Sequence, residues 1–461
     1  MGTAEPAGQH TVRRHNAALV LAAIGAAAGT SRAGVAARTG LTKATVSSLV
    51  DRLVAAGLVQ VSGQEGRSGP GRPGTALSLA PAGPHGLGVE VAVDYVATCL
   101  VDLTGEVHRL RVRRRDNRDR GVGRVLRRAA EAVARARVDA AELGVEVGGV
   151  GVAVPGLVET SSGLVRVAPN LGWRDVDVPG ELRRRVEVPA REVMVANEAN
   201  MAALAEVHVA GVDGPRSFVH VSGEIGVGAG IVLDGAVFHG VRGYGGELGH
   251  VQVSPRGARC SCGTRGCVER MAGQEAILER AGVSDLDALV ARLEAGDRPA
   301  VAAVRAAADW LGVALSGALN LLDVPAVVLG GTYARLYPWL AGPLADRLSA
   351  RVLSAPWSEV DVVRSRLGTE AAVRGAALSA VRAVVADPEA ISPLGVGDSC
   401  GRRRAYVAGS AVDAGDVGSV RPWWCRTGCA VCASRRRCGQ RWAAARARGF
   451  DCGRVRGTPA G

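Results

Sequence analysis

Apolar residues in the first eighty positions recur at helical spacing. Leu19, Val20, Ala23, Ile24 and Ala27 predict one face of a first helix. Thr30 or Ser31 can cap a short second helix that closes at Gly40. Thr42 can cap a third, whose buried stripe would be Val46, Leu49, Val50, Leu53 and Val54. After Gly57 the period shortens, and LVQV and TALSL read as two strands joined by SGQEGRSGPGRPG. From Gly86 the texture changes again, to short valine-rich strands (GLGVEVAV, ATCLVDLTGEV, VGGVGVAVPG, AVVLGG) alternating with helices rich in Ala, Leu and Arg. That alternation predicts an α/β domain with mixed sheets.

The order helix, helix, helix, strand, basic loop, strand is that of a winged helix-turn-helix. Residues 1–80 are therefore expected to bind double-stranded DNA. The third helix would offer Thr42, Lys43, Ala44, Thr45, Ser47, Ser48 and Arg52 to the major groove, since small hydroxylated side chains permit close approach. Arg67 and Arg72 of the loop would reach phosphates or the adjacent minor groove. A two-fold symmetric reader of paired half-sites implies a homodimer.

Charge supports this division. The net charge is +12, distributed as +5 over residues 1–80, −1 over the middle and +8 over residues 389–461. The middle is not the part that meets a polyanion. Lys43 is the only lysine, which reflects a coding bias and carries no functional message. No run reaches the roughly 18 apolar residues of a membrane span, so a cytoplasmic protein without a membrane partner is expected.

The most specific chemistry lies in GELGHVQVSPRGARCSCGTRGCVE. His250, Cys260, Cys262 and Cys267 follow an H-x9-C-x-C-G-x2-G-C pattern, and three thiols with one imidazole suit a closed, tetrahedral structural Zn2+ site. A disulfide fits poorly, because three cysteines leave one over and Cys260 lies too close to Cys262. Surviving thiols point to a reducing cytosol.

Together these features resemble the ROK family of repressors, open reading frames and sugar kinases, over roughly residues 12–385. The resemblance implies an N-terminal winged helix-turn-helix followed by a two-lobed, actin-like sugar-kinase domain over residues 81–388, with its zinc loop at 250–267. It also assigns sugar contacts to Asn170 of APNLGW, to Asn197 and Glu198 of VANEAN, and to Glu247, His250 and Glu269. Trp173 would support the Asn170 loop.

The sequence departs from the family's kinases where phosphoryl transfer needs it most. Their Asn-Asp pair is Asn197-Glu198 here, and moving a base by about 1 Å can cost around 100-fold in rate. Their D-x-G-G-T turn reads EVAVD from Glu90 to Asp94, with Val93 supplying bulk and Asp94 repulsion where phosphates need close backbone approach and no opposing charge. Their T-x-G-T-G-x-G-x-G loop reads SGEIGVGAG, keeping Gly226, Gly228 and Gly230 but placing Glu224 and Ile225 at the phosphate contacts. Gly330 and Gly331 match a nucleotide-side turn only weakly.

The expectation is a sugar-responsive repressor of the xylose-responsive kind, without catalysis. The alternatives are an ATP-dependent sugar kinase with a DNA-binding extension and an activator controlled by a sugar phosphate. Residues 389–461 hold six of the ten cysteines. Cys400, Cys429, Cys432 and Cys438 could form a metal or iron-sulfur site, weakly similar to WhiB-like regulators, but a disordered basic extension is the reading preferred.

Overall fold

The computed structural model describes residues 9–64, 75–118, 120–186, 193–211 and 214–390. Arg67, Arg72 and the proposed Cys400, Cys429, Cys432 and Cys438 cluster lie outside the described residues.

The first three helices are α1 (Gln9–Gly25), α2 (Arg32–Thr39) and α3 (Lys43–Ala55), followed by the antiparallel pair β1 (Val59–Gln64) and β2 (Thr75–Leu79). Ser31 caps α2, its Oγ accepting from the Gly34 N–H at 3.2 Å, and Gly40 ends it in the left-handed region at φ 70°. Thr42 caps α3 by accepting from the Thr45 N–H at 3.2 Å. Val46, Leu49, Val50 and Leu53 are buried and Val54 is half-buried.

Helix α1 differs from the expected face. It buries Ala17, Val20, Leu21 and Ile24, whereas Leu19 is 39% exposed and Ala27 lies beyond the helix end. In a helix this rich in alanine and valine, periodicity alone cannot choose between neighbouring stripes.

The next lobe comprises β3 (His85–Val91), β4 (Tyr95–Val101), β5 (Val107–Arg114), α4 (Val122–Glu142), β6 (Val147–Val154), β7 (Leu157–Val158), β8 (Leu164–Ala168), β9 (Trp173–Asp177), α5 (Val178–Arg185) and β10 (Met194–Asn197). Its main sheet has the order β10-β6-β3-β4-β5. ATCLVDLTGEV is not one strand, because Asp102 Oδ1 accepts from the Thr104 and Glu106 N–H groups at 2.8 and 3.1 Å and turns the chain between β4 and β5.

The last lobe follows with α6 (Glu198–Ala210), β11 (Phe218–Gly223), β12 (Val227–Leu233), β13 (Ala236–Phe238), α7 (Val268–Ala272), α8 (Gln274–Ala281), α9 (Leu286–Glu294), α10 (Arg298–Leu322), β14 (Ala326–Gly330), α11 (Gly331–Arg335), α12 (Tyr337–Arg351), β15 (Asp361–Arg364) and α13 (Ala371–Ala386). Its sheet order, β13-β12-β11-β14-β15, repeats the first sheet's design of an antiparallel meander joined to parallel strands. Helix α10 is long and apolar enough to cross a membrane, although Arg305 and Asp309 interrupt its apolar run and hide it from a reading of uninterrupted stretches. It packs inside the second core, burying Ala300, Val304, Leu311, Leu315 and Leu319.

Helix α13 crosses between the lobes and touches β3, β6, α6 and α1. Its approach explains the glycine texture of the strands. A Cβ at Gly88 would lie 2.2 Å from Val373 O, and one at Gly151 would lie 2.0 Å from Ala376 O. One apolar core runs from Val20, Leu21, Ile24 and Leu58 to Leu378, Val381 and Val384, so the winged helix and the α/β domain form one compact unit. Glu389 belongs to this unit and not to a tail beginning at 389. It sits in the 3-10 turn Pro388–Ala390 and accepts from Arg52 at 2.7 Å.

Candidate functional site: a cleft beside a thiol cluster

The metal ligands proposed from spacing converge. The ligating atoms of His250, Cys260, Cys262 and Cys267 all lie within 4.8 Å of one another. Cys260 Sγ is 3.7 Å from His250 Nδ1, and Cys262 Sγ is 3.6 Å from Cys267 Sγ. Zinc–thiolate bonds of about 2.3 Å in a tetrahedron place sulfurs about 3.7 Å apart, so these edges fit a metal of that size. None of the three cysteines is in a disulfide. Gly266 makes the turn possible. At φ 65°, a Cβ there would lie 1.6 Å from Ser254 O. This group of one imidazole and three thiols could hold a metal ion.

Beside it, one cleft gathers all six residues expected to contact sugar. Asn170 comes from the 3-10 turn Pro169–Leu171, and Trp173 beneath it is 2% exposed. Glu247 precedes and His250 ends the 3-10 turn Leu248–His250, while Glu269 lies in the first turn of α7. With Nδ1 among the thiols, His250 keeps Nε2 for the cleft. Glu269 Oε2 accepts from the Val227 N–H at 3.3 Å, tying the thiol loop to β12.

Asn197 is largely committed elsewhere. It caps α6, its Oδ1 accepting from the Ala199 and Asn200 N–H groups at 2.8 and 3.3 Å, while Nδ2 donates to Gly156 O at 3.0 Å. One amide hydrogen remains for a ligand. Glu198 begins α6 with Oε2 unpartnered, and burial first, then Glu247, Glu90 and Glu224, push its carboxyl well above the usual range.

The three glycines kept in SGEIGVGAG have packing reasons. A Cβ at Gly228 would meet Ala199 Cβ at 2.9 Å, one at Gly230 would meet Ala203 Cβ at 2.5 Å, and one at Gly226 would meet Glu269 Oε2 at 2.8 Å. Glu90, Asp94 and Glu224, which appeared in the sequence only as lost phosphate contacts, line the same cleft. His220 of β11 lines it too and was missed. Its only sequence signal is a histidine at an inward position of the strand FVHVSG.

Burial pushes Glu90 up to about 8, helped by the Glu224 charge, and pushes Glu224 up to about 7, helped by Asp94. An acid whose folded pKa exceeds its unfolded value loses stability as pH rises between the two. The histidines with resolved shifts, His85, His208, His220 and His239, are all lowered by burial and oppose this only below 6.5. Between pH 6.5 and 8 Glu90 and Glu224 therefore pull the urea midpoint down while Cys262, depressed to about 7, pulls it up, and Glu90→Gln should shift the pH slope of the midpoint upward relative to the parent. An equal slope in the variant would contradict the burial argument.

On α3, Lys43, Ala44 and Ser48 are exposed and Thr45 and Ser47 half-buried. The Thr42 hydroxyl is occupied by the cap and by Thr45 Oγ1 at 2.9 Å. Arg52 is held by Glu389.

Residues 86–383 match the ROK family, and residues 13–68 match the MarR family. The chain belongs to the ROK family. The ROK match covers the cleft and the thiol cluster whole. The xylose repressor of Bacillus subtilis is 28% identical over 373 residues, covering 80% of this chain and 95% of that relative. The glucokinase of Thermotoga maritima is 31% identical over 236 residues, covering 47% of this chain and 74% of the enzyme. Among solved structures, a ROK family transcriptional regulator homologous to the E. coli MLC protein superposes with a TM-score of 0.71 at 26% identity, covering 82% of this chain and 98% of that one. A ROK glucokinase from Streptomyces griseus in complex with glucose and AMPPNP gives a TM-score of 0.55 at 25% identity, covering 64% of this chain and 98% of the enzyme. The fold is thus a winged helix-turn-helix followed by the actin-like ROK domain. The two regulators cover 80 and 82% of this chain and the two kinases 47 and 64%.

Proposed function

We propose that this chain is a sugar-responsive transcriptional repressor that binds a double-stranded operator as a homodimer and has no kinase activity. The observation that carries this reading is the division of the cleft. Asn170, Glu247, His250 and Glu269 offer paired hydrogen bonds to vicinal hydroxyls, while Glu90, Asp94 and Glu224 oppose a nucleotide's phosphates. A sugar can be held there and not consumed. The relatives named as xylose repressors, which cover 80 and 83% of this chain, support the same reading.

Zn2+ would be structural, since four protein ligands leave no open position, and its free thiols fit a reducing cytoplasm. Its role is to hold His250 and Glu269 at the sugar. Thr42, Lys43, Ala44, Thr45, Ser47, Ser48, Arg52, Arg67 and Arg72 are the proposed DNA contacts. Asn197 and Glu198 complete the sugar set, Asn197 through its one spare N–H.

Coupling between the sites follows from α13, which touches both lobes and α1. A sugar that favours one lobe arrangement shifts that helix and the 3-10 turn carrying Glu389, and hence the availability of Arg52. The coupling expected for such a switch is about 1 to 3 kcal/mol.

The deciding experiment is fluorescence anisotropy on a labelled fragment from upstream of the coding region, titrated with free sugars, phosphosugars and ATP at fixed salt. DNA release by one free sugar, with ATP inert, is the expected result. Sugar-dependent ADP production would favour a kinase instead, and tightening by a phosphosugar would favour an activator.

A further inference from the structure

The half of the cleft away from the thiol cluster is built of acceptors. Glu90 is 4% exposed. Its Oε1 accepts from the Tyr95 hydroxyl at 2.6 Å and its Oε2 has no partner among the described residues. Glu224 lies close enough for its charge to act on Glu90, and Asp94 acts on both. His220, fully buried and lining the same cleft, has neither ring nitrogen partnered. Burial holds it neutral, with its pKa lowered to about 4, so it too offers a lone pair.

Six carboxylates line the cleft, from Glu90, Asp94, Glu198, Glu224, Glu247 and Glu269, and among the described lining residues there is no arginine or lysine. This is a chain with 56 basic residues. Arg114, 80% exposed, lies 3.7 Å from Asp94, and Arg259 and Arg270 line a neighbouring pocket that shares Asn170 and Glu269 with the cleft. Such a cleft repels phosphosugars and sugar acids alike.

Nor is this half a metal shell. Among the described residues, only the His250 and cysteine group brings ligand atoms close enough to hold an ion. Acceptors more widely spread than a metal shell suit a larger organic cation, whose ammonium donates three directed hydrogen bonds. Glu198, whose Oε2 has no partner among the described residues, feels the charges of Glu247, Glu90 and Glu224.

We propose that the effector is a cationic saccharide, an amino sugar whose ring lies against Glu247, His250 and Glu269 and whose ammonium passes Glu198 to reach Glu90, Glu224 and His220. This rests on the reading of the cleft as a sugar site. Binding exchanges protons for the ammonium on the raised carboxyls, so affinity rises from pH 6 to 7 as Glu224 ionises, with Glu90, Asp94, Tyr95 and Arg114 around it.

Isothermal titration calorimetry of the full-length protein tests this. The probes are D-glucose, D-mannose, D-galactose and D-xylose, each beside its positional amino-deoxy derivatives and their N-acetylated forms. One free amine should bind at least tenfold tighter than its neutral parent and lose that advantage on acetylation. Glu224→Gln should reduce the preference to within twofold, with Glu90→Gln as the second variant should the first fail to fold. The preferred amine should also release protons on binding, seen as a dependence of the heat on buffer ionisation. Equal or tighter binding of a neutral sugar overturns the inference and leaves the sugar-sensor reading intact. Binding of neither class overturns both.

Discussion

Cys260→Ser or Cys267→Ser abolishes the sugar response while leaving a protein that still binds its operator. The proposed metal would close the loop from His250 to Cys267, whose backbone bonds, such as Val253 N–H to Gly266 O at 2.8 Å and Gly266 N–H to Ala258 O at 2.8 Å, run within the loop itself. Its tie to β12 is the Val227 N–H, which Glu269 Oε2 accepts at 3.3 Å. Structural zinc contributes about 10 to 16 kcal/mol in small zinc-dependent peptides, and a loop of this kind has no apolar core to replace it. Without the metal, His250 loses its anchor through Nδ1 and Glu269 loses the neighbour at Cys260, 3.9 Å away. Sugar affinity should fall at least 100-fold, and one equivalent of metal should be missing by atomic absorption. The winged helix packs on α13, away from the thiol loop, so the variants stay on DNA and no longer leave it. Variants that retain full metal content and normal release would contradict the ligand assignment.

Gly375→Val should unfold the chain or lower its melting temperature by more than 10 °C. A Cβ at Gly375 would lie 1.7 Å from Met201 O, a backbone atom of α6 that no side-chain rotation can move away. Helices α6 and α13 must therefore separate, and α13 carries β3, β6 and α1 with it. Overpacking that cannot relax commonly costs about 1 to 3 kcal/mol and more when several elements shift. Gly317→Ala in α10 is the control. Nothing beyond its own helix and chain neighbours lies within 4 Å of its Cβ and the position is exposed, so the exchange should stabilise by roughly 0.5 to 1 kcal/mol. Thermal and urea unfolding of both variants distinguish close packing from a general intolerance of helix glycines.

Much of the protein is legible along the chain because the relevant physics is local. Ser31, Gly40 and Thr42 announce their caps, since capping needs a side chain within three residues of the N–H groups it satisfies. His250, Cys260, Cys262 and Cys267 announce a metal, since thiolates this close in sequence with intervening glycines have few other uses. Even the glycines of GLGVEV and VGGVGV mark close approach, although not to what.

Other features depend on distant partners. Which stripe of α1 faces inward was decided by α13 and the strands beneath it, so Leu21 is buried where Leu19 was expected. Asn197 reads as a ligand contact, yet the start of α6 and the carbonyl of Gly156 claim most of its hydrogen-bonding capacity. Arg52 reads as a free DNA contact, yet Glu389, 337 residues away, holds it. Glu90 and Glu224 read singly as lost phosphate contacts. Only the closure of the lobes puts them, with His220, in one poorly solvated cleft, where Asp94 raises the proton affinity of Glu224 and Glu224 that of Glu90. Local spacing thus determined the elements, the histidine–cysteine group and the family's fold, because caps, periods and close thiol spacing act over a few residues. The inward faces, the arginine latch and the acidic half of the cleft were decided by tertiary structure, because burial and charge interact through space between residues the chain keeps far apart.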